Sequence, residues 1–400
     1  ALGILSSDCI SSSADGSEQI LIALLPAFGL AAFAILMPMT AVVLAILVLI
    51  TLSYRNVIDV YTKTGGAYIV SRDNFGPVVA QIAAVALMLD YIVTVAIQSA
   101  AGVAAIISTF PSLEPGKMYM IFGVIALLTF GNLRGVKEAG KAFAMPTYFF
   151  VGCMFIVFGM GLYRLANGTL PVLDTDLPGA VPLGQEQGLL TFAAIFILLR
   201  AFANGGSSLT GLEAISDGVA LFKTPEHVNA KRTLVVMSCL LGTLVLGVSY
   251  FAHHIHAMPY ESGVPTVISQ IAKAAVGTGT FGTIMFIMVQ LATMLILFAG
   301  ANTTYSAFPL LVNFVAQDGY LPRQLTKRGH RLAFSNGILL LAGGGLLLVI
   351  ITAGSVEHLV AFYALGVFTG FTLAGFGMTR YYLRTKPSQW RVKVFINALA

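Results

Sequence analysis

The sequence predicts an all-α membrane protein made of two inverted halves with five spans each. Of the 400 residues, 57% are hydrophobic and 10% are charged, and the mean hydropathy is +0.88. A soluble domain carries about a quarter charged residues, so this chain cannot form an ordinary water-facing surface. The apolar runs have the length of transmembrane helices, about 20 residues. Polar residues interrupt two of the runs, five spans apart.

Ten apolar segments succeed one another, and none shows the strand-length alternation of a membrane barrel. The first is interrupted near 6–16 and resumes to about 27. The others lie near 30–53, 76–108, 118–133, 143–163, 188–220, 233–254, 282–315, 335–353 and 356–379. This order divides the chain into a first repeat over 1–165 and a second repeat over 187–385. Residues 386–400 are predicted to form a cytoplasmic link and the start of a further span in a longer polypeptide.

Lys and Arg residues orient the spans. Eighteen of the 22 basic residues fall in connections that follow even-numbered spans. The odd-numbered connections hold Lys117, Arg164 and Lys273, and Arg200 lies within span six. Under the positive-inside rule the even connections and the N-terminus are cytoplasmic. The sequence thus predicts a multi-pass plasma-membrane protein with its N-terminus inside the cell.

Breaks in spans one and six are the most informative feature. Span one contains "SSDCISSSADGSEQ" at 6–19, and span six contains "NGGSS" at 204–208. Broken helices at matching positions of inverted halves indicate a transport site, because non-helical backbone inside a bilayer must line a cavity or be buried in protein. Gly205 and Gly206 are the predicted break residues, since glycine readily adopts positive φ. An extramembrane leader is the alternative for the first break.

Four acids are predicted to lie within the membrane, and each is a site hypothesis because a buried carboxylate is costly there. They are Asp8, Asp15, Asp90 and Glu213. Thr94 shares a helix face with Asp90, and Thr210 shares one with Glu213. Carboxylate and hydroxyl oxygens suit a hard cation rather than zinc or copper. Tyr363, well inside span ten, is expected to face a cavity.

Other interpretations of these residues stay open. Asp90 could instead be a hydrogen-bonded acid that joins helices, and Glu213 could pair with Arg200. "HHIH" at 253–256 lacks an acid or cysteine at ligand spacing and is typical of a polar helix end. Cys9, Cys153 and Cys239 form no CxxC pair, so neither a disulfide nor a structural zinc is expected.

Several motifs resemble those of known carriers. "TKTGGAYIVSRDNFG" at 62–76 resembles the GGAY signature of the amino acid–polyamine–organocation (APC) superfamily, which implies the LeuT-like five-plus-five fold. Amino acid carriers of that superfamily usually have a G-x-G first break, whereas this chain has "SSDCISS". "SSDCISSSADG", "LDYIVTVA" and "LTGLEAISDGV" are similar to motifs of the KimA-type proton-coupled potassium importers.

The resemblance implies a set of potassium-binding residues: Asp8, Asp90, Thr94, Thr210, Glu213 and Tyr363. Two positions depart from the family, because a family Tyr is Asp15 here and a family hydroxyl falls near Gln98. Glu213 is expected to couple potassium to protons, since it lies beyond the glycine break toward the cytoplasmic end of its span.

The leading hypothesis is therefore a secondary active transporter that imports potassium with protons by alternating access. The alternatives are an amino acid or polyamine permease of the same superfamily and a non-transporting membrane sensor or scaffold. No Ser/His/Asp set or phosphate-binding loop predicts an enzyme, and no cofactor besides the transported ions is expected. The expected partners are membrane lipid, potassium and a second copy joined through a C-terminal region outside this chain, with no nucleic acid.

Overall fold

Helices make up almost all of the part of the chain that the structure describes. The structure is a computed structural model, and it describes residues 2–62, 66–134, 144–184, 191–326 and 334–400. Six basic residues of the predicted charge pattern lie outside the described residues: Lys63, Lys137, Lys141, Lys327, Arg328 and Arg331.

Eight helices within the described ranges are long and apolar enough to cross a membrane, and they coincide with predicted spans two to eight and ten. They are Ala31–Val60, Pro77–Thr109, Pro111–Leu133, Ala144–Ala166, Phe192–Asp217, Glu226–Ile255, Thr280–Gln317 and Val356–Thr385. Predicted span nine is the shorter helix Ser335–Ile351, and span one is the pair Leu2–Ser11 and Gly16–Phe28. Each of the ten predicted segments is thus helical. The two helices of span one are each too short to cross a membrane alone.

Shorter helices connect the spans. Ala67–Phe75 lies between spans two and three, and Val267–Val276 lies between spans seven and eight. Trp390–Leu399 follows span ten and packs against spans ten and two. We call the end of the bundle near Arg55, Arg72 and Arg380 the basic end.

Serine side chains stabilise the break in span one. The helix ends at Ser11, a 3-10 turn covers Ser12–Ala14, and a new helix begins at Gly16. The hydroxyls of Ser11 and Ser12 donate to the carbonyl of Asp8 at 2.7 and 3.0 Å, so the helix end does not leave that carbonyl unpaired. The serines are largely buried among other spans, which confirms a break inside the bundle and excludes an extramembrane leader.

The break in span six differs in detail from the prediction. The first helix ends at Gly205, and a 3-10 turn covers Gly206–Leu209. Gly205 and Gly206 have right-handed φ values of −64° and −60°, so neither supplies the positive φ expected of it. Gly211 supplies it instead, at φ 75°, just before the helix Leu212–Asp217. The turn ends in extended backbone, and the chain re-enters a helix through this left-handed residue.

The two breaks pack directly against each other. A Cβ atom at Gly16 would lie 2.7 Å from the Ser208 side chain, and one at Gly211 would lie 2.7 Å from the backbone nitrogen of Cys9. Glycine at these positions lets the backbones of spans one and six approach closely.

Equivalent spans of the two predicted halves are neighbours. The second helix of span one packs on the first helix of span six, span two packs on span seven, and span three packs on span eight. Such pairs are expected for inverted repeats around a shared centre. The repeat boundaries at 1–165 and 187–385 stay a prediction.

Alanine at Gly205 and Gly206 should destabilise the protein through packing. A Cβ at Gly205 would lie 2.7 Å from the Ile20 side chain, and one at Gly206 would lie 2.4 Å from the Phe368 ring. We expect the double variant Gly205→Ala/Gly206→Ala to lose about 1–3 kcal/mol per overpacked site, seen as a lower melting temperature in detergent. Gly343→Ala is the control, because a Cβ there meets nothing within 4 Å. Equal melting temperatures for the two variants would contradict this explanation.

Candidate functional site

A very small cavity lies beside the two helix breaks. Its volume is about 20 Å³, enough for one water-sized sphere. We call it the inner cavity; its lining residues are Ser12, Asp15, Thr94, Ile97, Gln98, Ser207, Leu297, Val360 and Tyr363. Oxygen-bearing side chains from spans one, three, six and ten therefore converge on a space of single-ion size.

A chain of hydroxyl groups crosses this region. Ser12 Oγ and Thr210 Oγ1 share a hydrogen bond of 2.7 Å. The Tyr363 hydroxyl hydrogen-bonds with Thr210 and accepts a hydrogen bond from Thr94 Oγ1 at 3.3 Å. Three predicted site residues from three different spans are thereby joined, and together they can present hydroxyl oxygens to a cation.

Gln98 connects the inner cavity to Asp8. Its Nε2 donates to Asp8 Oδ1 at 2.6 Å, while its Oε1 has no hydrogen-bond partner among the described residues. Ser207 Oγ on the opposite wall likewise has none. Buried polar atoms in native proteins are normally paired, so these two oxygens are candidate cation ligands.

Asp90 and Glu213 form an acid pair one helix turn from Thr94. Their carboxyl groups are buried neighbours, and neither Asp90 Oδ1 nor Glu213 Oε1 accepts a hydrogen bond from a donor in the described chain. Tyr54 donates to Glu213 Oε2 at 3.4 Å. Two neighbouring buried carboxylates repel each other when both are ionised and no positive charge is near. The pair must therefore share a proton or hold a cation.

The alternative pairing of Glu213 with Arg200 is wrong. Arg200 forms an exposed ion pair with Glu357 at 3.3 Å, at the end of the bundle opposite the basic end. Glu213 lies beyond the break, in the second helix of span six, and is buried.

The histidines of the HHIH segment contact backbone carbonyls and an aromatic ring of neighbouring residues. His253 Nδ1 lies 2.8 Å from the Phe33 carbonyl, and His254 Nδ1 lies 2.9 Å from the Tyr250 carbonyl. The His256 ring stacks on Phe33. These contacts suit a polar helix end.

Comparisons with known proteins agree with this geometry. A family model described as amino acid permease matches residues 2–400. The chain belongs to the amino acid permease family. The chain is also 41% identical over 399 residues to "Potassium transporter KimA" from Bacillus subtilis (strain 168), which confirms the resemblance to the KimA-type proteins. The alignment covers 100% of this chain and 63% of that relative, so the chain spans less than two thirds of its length.

Two solved transporters share the fold of this chain. Mhp1, a nucleobase-cation-symport-1 family transporter solved in a closed conformation with bromovinylhydantoin bound, aligns with a TM-score of 0.57 and 12% identity, covering 98% of this chain and 80% of Mhp1. A manganese transporter from Eremococcus coleocola aligns with a TM-score of 0.52 and 13% identity, covering 100% of this chain and 85% of that one. The chain is therefore a multi-pass membrane protein with the predicted LeuT-like fold.

A larger cavity adjoins the inner one. We call it the outer cavity; it measures about 540 Å³, is partly open, and is lined by the start of span ten and the loop before Val267–Val276. Asp15 lines both cavities, so it stands at their junction. Asp15 can thus be reached through the outer cavity from the end of the bundle opposite the basic end.

Contacts at the basic end close the bundle at the end opposite the outer cavity. Asp217 accepts a hydrogen bond from the Tyr91 hydroxyl at 3.0 Å and another from the backbone N–H of Gly66. Gly66 belongs to the GGAY segment. This motif is therefore bonded to the side chain of the last residue in the second helix of span six. Gly65 of the same motif lies outside the described residues.

Tyr68, Asp318 and Arg72 make a second closing contact. Tyr68 donates to Asp318, and Arg72 forms an ion pair with Asp318 at 3.0 Å. Burial raises the pKa of the Tyr68 phenol well above its ordinary value, and the hydrogen bond to Asp318 adds to this shift, so Tyr68 keeps its donor proton. The contacts join helix Ala67–Phe75 to the end of span eight.

Sequence reasoning missed part of this site. Gln98 follows Thr94 by four residues and Asp90 by eight, so helical spacing alone could have placed it on the same face. Tyr54 and Tyr91 had no such signal, because nothing in a single apolar run shows which residue faces another span.

Gly66→Ala should disturb the closed basic end. A Cβ at Gly66 would lie 1.6 Å from Asp217 Oδ1, so the carboxylate must move away and lose the Gly66 N–H. We expect a loss of about 1–3 kcal/mol of stability, measured as a lower melting temperature, together with a reduced transport rate. Gly343→Ala again serves as the control. A Gly66→Ala protein with unchanged melting temperature and rate would show that this contact is unimportant.

Proposed function

We propose that this permease imports potassium together with protons by alternating access. The observation that carries the proposal is the inner cavity, which at about 20 Å³ is far smaller than the roughly 300–1,000 Å³ of pockets for organic ligands. Its oxygen donors suit a hard monovalent cation. The name of the KimA relative supports the same substrate.

In this proposal potassium and the proton occupy neighbouring places. The ion lies in the inner cavity near Thr94, Tyr363 and the carboxylates of Asp8 and Asp15. Asp90 keeps a negative charge one turn away, and Glu213 carries the proton of the acid pair. Potassium and the proton are then transported together, because both help to neutralise the negative charge of the same group of carboxylates.

The transport direction follows from the proposed orientation. With the N-terminus and the basic end in the cytoplasm, the outer cavity opens to the outside and the contacts of Asp217 and Asp318 close the inside. Asp217 lies one helix turn beyond Glu213 toward the basic end, on the same face. We propose that the proton of Glu213 leaves past Asp217 when this end opens.

An amino acid or polyamine permease is the second candidate. The family description favours it, and the outer cavity of about 540 Å³ could hold such a molecule. The first break, however, offers serines and acids rather than the G-x-G pattern of amino acid carriers, and a carboxylate substrate would meet Asp15 at the cavity junction.

The remaining proposals concern partners and chemistry. The permease is proposed to work in the plasma membrane without a cofactor and without an enzymatic reaction, moving ions only. A homodimer is also proposed, as the resemblance to the KimA-type importers implies.

Uptake into proteoliposomes tests the function. We expect the reconstituted permease to accumulate radioactive rubidium, a potassium tracer, when an inward proton gradient is imposed, and not to accumulate members of an amino acid and polyamine panel. Accumulation of an amino acid or polyamine would establish the second candidate. Movement of neither class would favour a sensor or scaffold.

The two acids of the pair should behave differently. Asp90→Asn should abolish rubidium uptake with little change in melting temperature, because the fixed charge beside the ion is lost. Glu213→Gln should still bind and exchange rubidium but lose uphill uptake and its pH dependence, since a glutamine amide does not titrate and cannot carry a proton across. The measurement is the uptake rate and rubidium exchange at several pH values.

Asp176→Asn, at an exposed loop acid, is the matched control and should behave as wild type. Wild-type pH dependence with retained accumulation in Glu213→Gln would assign the proton to another residue, with Asp15 next. A destabilised Asp90→Asn protein that still takes up rubidium would support the helix-joining role of Asp90.

A further inference from the structure

One face of the second helix of span one borders the outer cavity. The lining residues Asp15, Glu18, Gln19, Ile22 and Pro26 follow one another at helical spacing, so they share a face. Asp15 also lines the inner cavity, Glu18 and Gln19 follow within about one helix turn, and the apolar members lie farther along the helix. The polar part of this face therefore forms the floor of the outer cavity.

A buried oxygen acceptor on this floor lacks a donor. Gln19 is 2% exposed, and its Oε1 has no hydrogen-bond partner in the described ranges. The Asp15 carboxylate is half-buried and lines both cavities. A buried amide oxygen without a donor is unusual, and a cation held between it and the neighbouring carboxylates would satisfy it.

Glu18 is held in place beside them. Its Oε2 accepts the backbone N–H of Val267 at 3.0 Å. Lys117 lines the same cavity and donates to the Ser262 carbonyl at 2.8 Å. With both carboxyl groups ionised, the floor carries two negative charges. On the cavity walls, Lys117 and Glu261 balance each other in net charge and Glu357 is paired with Arg200, so the floor attracts a monovalent cation.

We propose that Asp15, Glu18 and Gln19 form an outer cation site, where a partly hydrated potassium ion binds before it enters the inner cavity. This inference rests on the proposed function and adds a second binding position to it. Successive sites of moderate strength let an ion shed its hydration water in steps. Asp15, which faces both cavities, passes the ion from one to the other.

Initial rates of rubidium uptake by the full chain in proteoliposomes test the proposal. Glu18→Gln removes the charge but keeps an oxygen for the Val267 N–H, and Gln19→Leu removes the amide. Each should raise the KM for external rubidium about fivefold, with the saturated rate unchanged, because loss of one charge or ligand weakens capture rather than translocation. Glu261→Gln, at an exposed acid of the same cavity, is the matched control and should keep the wild-type KM.

Unchanged KM values in Glu18→Gln and Gln19→Leu would overturn the outer site, and so would an equal rise in Glu261→Gln, which would indicate general surface charge. Equilibrium binding of rubidium to the wild-type protein gives a check that needs no variant. Two classes of bound ion are expected, and one class would overturn the outer site. A wild-type protein that takes up no rubidium would instead refute the proposed function.

Discussion

The close approach of the two helix breaks is the constraint on which the rest of this structure depends. Each break exposes backbone carbonyls that an apolar interior cannot hydrate, so they must be paired or used. Glycines at 16 and 211 bring the breaks into contact, and serine hydroxyls pair with the carbonyls that the helix ends release. The inner cavity then lies where the two breaks meet spans three and ten.

The acid pair lies outside this cavity, toward the basic end of span six. Thr94 and Tyr363 face the cavity, whereas the acid pair of Asp90 and Glu213 lies outside it, and Asp217 lies one turn beyond Glu213. In the proposed function, the ion site and the proton site are therefore neighbours but not the same place. That arrangement lets one carboxylate change its protonation while others hold a charge near the ion.

The two ends of the bundle differ in how they are held. At the basic end, hydrogen bonds and an ion pair join the GGAY segment and helix Ala67–Phe75 to spans six and eight. At the opposite end a cavity of about 540 Å³ extends to Asp15. An alternating-access cycle would require the basic-end contacts to break as the outer cavity closes.

Sequence alone determined the helical class, the ten segments, both breaks and the acids near them, because hydropathy and the cost of buried charge act locally along the chain. The face of span three that carries Asp90 and Thr94 also followed from helical spacing. Only the tertiary structure decided which atoms meet. It placed the positive φ at Gly211 rather than at Gly205 or Gly206, paired Arg200 with Glu357 instead of Glu213, and brought Gln98 to Asp8. The two contacts join residues far apart in the chain, and the backbone angle depends on how spans one and six pack together. No local pattern in an apolar run encodes how neighbouring helices are rotated against each other.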